Sequence, residues 1–186
     1  NSRVVAFLFL GFSSGLPFGV VEEPLTAWLA ESGVTKTAIG LFALVSLPYS
    51  LKFAWAPFMD HLTLPVLTKA FGRRRSWALV TQLALLGAVL GLGLTKPAES
   101  LWWTAVFALI VTFASASQDI VIDAYRVELL NEEQLAAGAA TATFGWRLGQ
   151  VGSGAAGLIL ADIFPWSWVY IGMASLVFVG IIAILL

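Results

Sequence analysis

Apolar residues run through the chain in long blocks, and the polar residues between them gather in short clusters. A helix that crosses the hydrocarbon core of a bilayer needs roughly 20 mainly apolar residues. Six blocks meet that length, at residues 4–29, 37–58, 77–94, 101–124, 135–161 and 166–186. Their joints are legible. ESGVTK (31–36) and TKPAES (95–100) read as short polar turns, and YRVELLNEEQ (125–134) as an acidic connector. MDHLTLPVLTKAFGRRRS (59–76) is the one long loop, while Asp162, Pro165 and Trp166 close the fifth block and open the sixth. The pattern predicts an all-α membrane protein, with one six-helix transmembrane bundle over residues 1–186.

Composition agrees. Hydrophobic residues make up 59% of the chain and charged residues 11%, against about 25% charged in soluble domains. Mean hydropathy is +0.90. With no cysteine and a single histidine, His61, neither a disulfide framework nor a His or Cys metal cluster is available, so no cofactor is expected. No nucleophile–base set or phosphate loop appears, which argues against an enzyme, and the net charge of -1 gives no reason to expect nucleic acid. The basic residues instead report topology. Arg3, Lys69, Arg73, Arg74, Arg75 and Arg126, with Lys52 near the end of the second block, fall on one side; only Lys36 and Lys96 fall on the other. The positive-inside rule then predicts a multi-pass membrane protein with a cytoplasmic N-terminus. The chain starts without Met and stops at IIAILL before any interfacial anchor, so a second six-helix half is expected beyond Leu186.

Charge inside the blocks is the candidate chemistry. In SQDIVIDAYRVE, Asp119 and Asp123 lie four residues apart on one helical face, with Gln118 beside them and Arg126 beyond. Two carboxylates in a poorly hydrated site repel each other, which suits them to share one exchangeable proton. The competing reading pairs Asp123 with Arg126 as a helix-end lock. Arg147, about twelve residues into the fifth block, is costly in lipid and is expected to face the bundle interior. Its partner would be Asp119, Asp123, Glu22, Glu23 or a substrate anion, and a plain interhelical salt bridge is the alternative. Glu22 and Glu23 precede Pro24 on the outer half of the first block, either as interfacial helix-end acids or as cavity-facing ones. Trp28, Tyr49, Trp55 and Trp146 offer flat faces for a sugar, or serve as an interfacial belt. Gly11, Gly15 and Gly19, and Gly145, Gly149, Gly152, Gly154 and Gly157, form small-residue rows for close helix packing. Pro17 should kink the first helix, which leaves a hinge as the functional reading.

The loop Ala56-Pro-Phe-Met-Asp60-His61, followed ten residues later by Gly72-Arg73-Arg74-Arg75, resembles the G-x-x-x-D-R-x-G-R-R motif of the major facilitator superfamily, stretched by an insertion. Asp60 would take the N-terminus of a neighbouring helix or pair with an arginine, and the cluster would pair with acids such as Glu128, a contact that breaks as the bundles rock; a plain topogenic cluster is the alternative reading of the arginines. GFSSGLPF, TAWLAESGV, IGLFALVSLPYSLKFAWAPFMD, FGRRRSW, SASQDIVIDAY and GWRLGQVGSG together resemble the AmpG-type muropeptide permeases of Gram-negative inner membranes. That resemblance implies a twelve-helix fold of which this is the N-terminal half. It also implies proton-driven import of anhydro-muropeptides, N-acetylglucosaminyl-anhydro-N-acetylmuramyl peptides, for cell-wall recycling. Gln118 and Asp119 would be the functional pair, with Asp123 following. The roles expected are ligand binding by Gln118, a proton on Asp119 or Asp123, and a substrate carboxylate at Arg147. The partners expected are the glycopeptide, protons, the bilayer and the second half. The stretch GVVEEPLTAW departs from the small and polar residues usual there, which leaves open a permease for another solute or a transporter-derived interaction protein.

Overall fold

The computed structural model describes residues 2–185; Asn1, Leu186 and the side chains of Ser2 and Arg3 lie outside the described residues, so Arg3 in the topology argument and the last residue of the sixth block are untouched by it. The described residues form helices and no strand. α1 (Ser2–Val21) and α2 (Glu23–Glu31) make the first crossing. The helix carries through Pro17, and the interruption falls instead at Glu22, whose φ of -83° and ψ of -99° are not helical. Pro24 explains the position: lacking an N–H, it cannot serve the Val20 carbonyl four residues back. The Tyr170 hydroxyl donates to that carbonyl instead, at 3.3 Å.

The second crossing is not the single helix expected over 37–58. It is assembled from α3 (Lys36–Leu41), a 3-10 turn at Phe42–Ser46, α4 (Leu47–Leu51), a second 3-10 turn at Lys52–Ala54, and α5 (Ala56–His61). Pro48 and Pro57 each stand in the first turn of an α piece, where a missing donor costs least. Thr112 Oγ1 from the fourth crossing donates to the Val45 carbonyl, 2.6 Å away, beside the first break. Most of this path is exposed, with Leu44, Leu47, Leu51 and Phe53 on its open side.

The long loop contains a further helix, α6 (Pro65–Phe71), and ends at Gly72, whose φ of +81° favours glycine before α7 (Arg73–Gly93). α8 (Leu101–Leu129) extends well past residue 124, so the acidic connector is largely helical and only Leu130 and Asn131 separate it from α9 (Glu132–Ala161). Glu132 and Glu133 in the first turn of α9 complement its dipole. α10 (Trp166–Leu185) completes the chain. Five paths, starting at Val4, Lys36, Arg73, Leu101 and Trp166, are long and apolar enough to cross a membrane. α9 is 30 residues long but falls outside that set, because small and polar side chains occupy its centre.

Those small residues decide the packing. A Cβ on Gly11, Gly15 or Gly19 would overlap the carbonyl oxygens of Ala142, Trp146 and Gln150 on α9. Reciprocally, one on Gly145 or Gly149 would overlap the carbonyls of Leu8 and Phe12 on α1. The two backbones are therefore in direct contact along their length. α7, α8 and α10 pack on the other side of α1 around Leu16, Val20, Leu85, Val111 and Tyr170, and a second cluster at the opposite end holds Phe7, Leu10, Val121 and Ile184.

Candidate functional site

A helix turns about 100° per residue, so neighbours in sequence cannot share a face, and Gln118 and Asp119 separate accordingly. Asp119 leaves α8 toward α1 and the broken second crossing. Its Oδ1 accepts a hydrogen bond from Ser14 Oγ, and its Oδ2 lies 3.6 Å from Lys52 Nζ. One turn on, Asp123 Oδ1 lies 3.0 Å from an Arg126 guanidinium nitrogen, the helix-end pairing. Both aspartates line one cavity of about 170 Å³, together with Gly11, Ser14, Arg126 and Trp146. The α1–α9 contact provides one wall.

Gln118 turns inward instead. It is fully buried, and its Nε2 donates to Ser13 Oγ at 3.2 Å. Gln82 of α7, also fully buried, donates to the same hydroxyl. Neither carboxamide oxygen has a hydrogen-bond partner among the described residues. This cluster ties α1, α7 and α8 and does not line the aspartate cavity.

Arg147 does not face the bundle interior, and no ion pair forms on it among the described residues. Gly145 and Gly149 turn their side of α9 to α1, and Arg147, two residues from each, is carried to the opposite side. Its guanidinium stacks over Trp146, 5.2 Å from the ring centroid, and donates to Gln150 Oε1 at 3.3 Å. Gln150 Nε2 in turn donates to Glu22 Oε2 at 3.0 Å. Arg147 and Glu22 are thus joined through a carboxamide, apart from the two aspartates. Glu22 is half-buried at the α1–α2 break and Glu23 is exposed. Both line a second, open cavity of about 820 Å³ that also takes in Phe18, Phe42 and Ser46.

Of the aromatic candidates, Trp146 and Tyr49 flank Phe18, at 5.4 and 5.1 Å between ring centroids, and form a row between the two cavities. Trp55 packs on Phe113 and donates to Ser117. Trp28 is buried against Trp166 and Tyr170, away from both cavities. The loop residues meet as a network: Arg74 lies 2.6 Å from Asp60 and 2.7 Å from Glu128, Arg73 donates to the Asp60 carbonyl, and Arg75 donates to the Tyr125 hydroxyl. Gly72 is the left-handed joint that starts the arginine helix.

Three participants escaped the sequence reading. Ser14 is an unremarkable member of a glycine row, Gln150 carries no charge, and Lys52 had been counted only toward topology. The available signal was a lysine inside the apolar run YSLKFAW, a position that demands a partner.

This arrangement of broken and continuous apolar helices is half of a major-facilitator-type membrane fold. The family described as acetyl-coenzyme A transporter 1 matches residues 3–98. The anhydromuropeptide permease of Escherichia coli (strain K12) is 43% identical over 185 residues, covering 99% of this chain and 37% of the relative. A protein named "Putative transporter AmpG 3" in Rickettsia prowazekii is 37% identical over 183 residues, 98% of this chain and 44% of that relative. A Haemophilus influenzae protein that carries no functional name is 40% identical over 179 residues. The chain belongs to the AmpG-type permease family. It spans 37% to 44% of the length of these relatives.

Proposed function

We propose that this chain forms the N-terminal part of a proton-coupled transporter that imports anhydro-muropeptides across the bacterial inner membrane, with its N-terminus in the cytoplasm and a second six-helix bundle closing the cavities. The observation that carries the reading is Asp119: a carboxylate within a membrane crossing, held between a hydroxyl and an ammonium at an open cavity. A charge so placed is expensive unless it works. Asp119 carries the proton. Asp123, already tied to Arg126, shapes the cavity mouth. Gln118 acts one layer behind by fixing Ser13, the neighbour of Ser14. Glu22, which lines the second cavity, presents a carboxylate to the amine of a peptide stem, and Arg147 steadies it from behind through Gln150. The Asp60–Arg74–Glu128 contact latches the arginine face while the bundles are in one arrangement.

The test is uptake of a radiolabelled anhydro-muropeptide into membrane vesicles under an imposed proton gradient. The Asp119→Asn protein is expected in the membrane at normal level with gradient-driven uptake abolished. Normal accumulation by that variant removes Asp119 from the mechanism, and absence of uptake by the unaltered protein sends the search to another solute.

A further inference from the structure

We infer that Lys52 is the substrate-anion site of this transporter, masked by Asp119 while the cavity is empty, and that a proton on Asp119 releases it to a substrate carboxylate. The inference rests on the transport reading above and names the group that would couple proton to cargo.

Four observations converge. First, Lys52 sits within the second crossing, on the 3-10 turn Lys52–Ala54 between two short α pieces, where backbone regularity is already lost. Second, its one ion-pair partner among the described residues is Asp119, at 3.6 Å, longer than a charge-assisted hydrogen bond. The carboxylate's direct hydrogen bond goes to Ser14 through the other oxygen, so Asp119 can stay seated when Lys52 lets go. Third, the exposures differ: the lysine side chain is 36% exposed and that of Asp119 16%, so the ammonium is the member of the pair that reaches open space. Fourth, no other cation competes for Asp119. Arg126 is committed to Asp123 on their own helix, α9 offers only the uncharged Ala142, Thr143 and Trp146 to this cavity, and Arg147 is held by Gln150. Ser14 from α1, the Tyr49 hydroxyl from α4 and Ser117 on α8 are neutral groups nearby, and Glu22 is engaged by Gln150.

The coupling follows from charge balance. An ammonium left without a counter-ion in a membrane crossing is strongly disfavoured. When Asp119 takes a proton, that burden falls on Lys52, and an incoming carboxylate relieves it. When the carboxylate departs, Lys52 returns to Asp119 and the proton is expelled. Proton and anion therefore bind together and leave together, with no other charged group required.

The experiment compares two labelled probes in the whole protein in membranes: a GlcNAc-anhydroMurNAc tripeptide with free carboxylates, and the same molecule with those carboxylates amidated. The unaltered protein should bind the acid probe more tightly than the amide, by about tenfold or more, as expected for a charge-assisted contact. That preference should grow as pH is lowered. Lys52→Met should bring the acid-to-amide ratio close to one, and Lys52→Arg should restore it. Asp119→Asn, which leaves Lys52 permanently unmasked, should bind the acid probe with no dependence on pH. Retention of the full preference by Lys52→Met overturns the inference even where uptake itself is normal. So does loss of it in Arg147→Gln while Lys52→Met keeps it, which would move the anion site to Arg147. Failure of the unaltered protein to bind either probe overturns the transport reading as well.

Discussion

Gly15 sits where α1 meets α9, and a methyl group there cannot be accommodated by side-chain movement. Its Cβ would overlap the carbonyl oxygen, carbonyl carbon and Cα of Trp146, all backbone atoms of a continuous helix. The helices must part locally, which weakens the contacts of Gly11 and Gly19 one turn to either side. Overpacking usually costs about 1–3 kcal/mol, and a rigid backbone neighbour puts Gly15→Ala at the upper end, about 3 kcal/mol. The loss includes the weak Cα–H···O contacts of such interfaces, each about 0.5–1 kcal/mol. Gly152→Ala is the matched control: it lies on the partner helix, nothing stands within 4 Å of its Cβ, and relief of glycine's backbone freedom should leave it neutral or stabilised by up to about 1 kcal/mol. Denaturant-induced unfolding of the purified protein in detergent, followed by tryptophan fluorescence, measures both. The two variants should differ by about 3–4 kcal/mol, as these two terms sum. Equal stability would refute the backbone-to-backbone contact between α1 and α9.

Two further substitutions probe the fold around the site. Tyr170→Phe leaves the Val20 carbonyl without the hydroxyl that replaces the missing proline donor, and should destabilise by about 1–3 kcal/mol in the same unfolding assay. An unchanged midpoint would mean the α1–α2 break satisfies itself. Arg74→Lys keeps the charge but cannot reach Asp60 and Glu128 together. It should lower uptake severalfold while Arg73→Lys, which keeps a single-point donor for the Asp60 carbonyl and gives up only a 3.8 Å approach to Glu128, has a smaller effect; equal effects would reduce the cluster to a topological signal.

The sequence announced the membrane class, the positions of most crossings and the glycine rows, because each depends on local length and on small side chains at a fixed period. It did not reveal the fracture of the second crossing. Pro48 and Pro57 were visible, but whether a proline bends, breaks or starts a helix depends on who collects the orphaned carbonyls, and Thr112 lies 67 residues from Val45. The extension of α8 past residue 124 was hidden for a similar reason: Arg126 and Glu128 look like a polar connector until Asp123 and Arg74 supply their partners. At the site, the acid pair was legible and its neighbours were not. Arg147 was expected inside because charge avoids lipid, yet the glycines on either side had already claimed the inward face of α9. The true counter-charge of Asp119 comes from a helix 67 residues earlier in the chain, and only the folded chain brings them together.

The interlocked backbones of α1 and α9 also have a mechanical meaning. Two helices meshed carbonyl to glycine can slide or part only by losing many contacts at once, so they behave as one stiff beam. The second crossing, cut into short pieces and largely uncovered, is the compliant part of the bundle. Asp119 holds Ser14 on the beam with one oxygen and Lys52 on the compliant strip with the other. Under the proposed proton coupling, a carboxylate clamped in that way would convert a change of a single charge into relative displacement of the two, and the stiff side would give the motion something to push against.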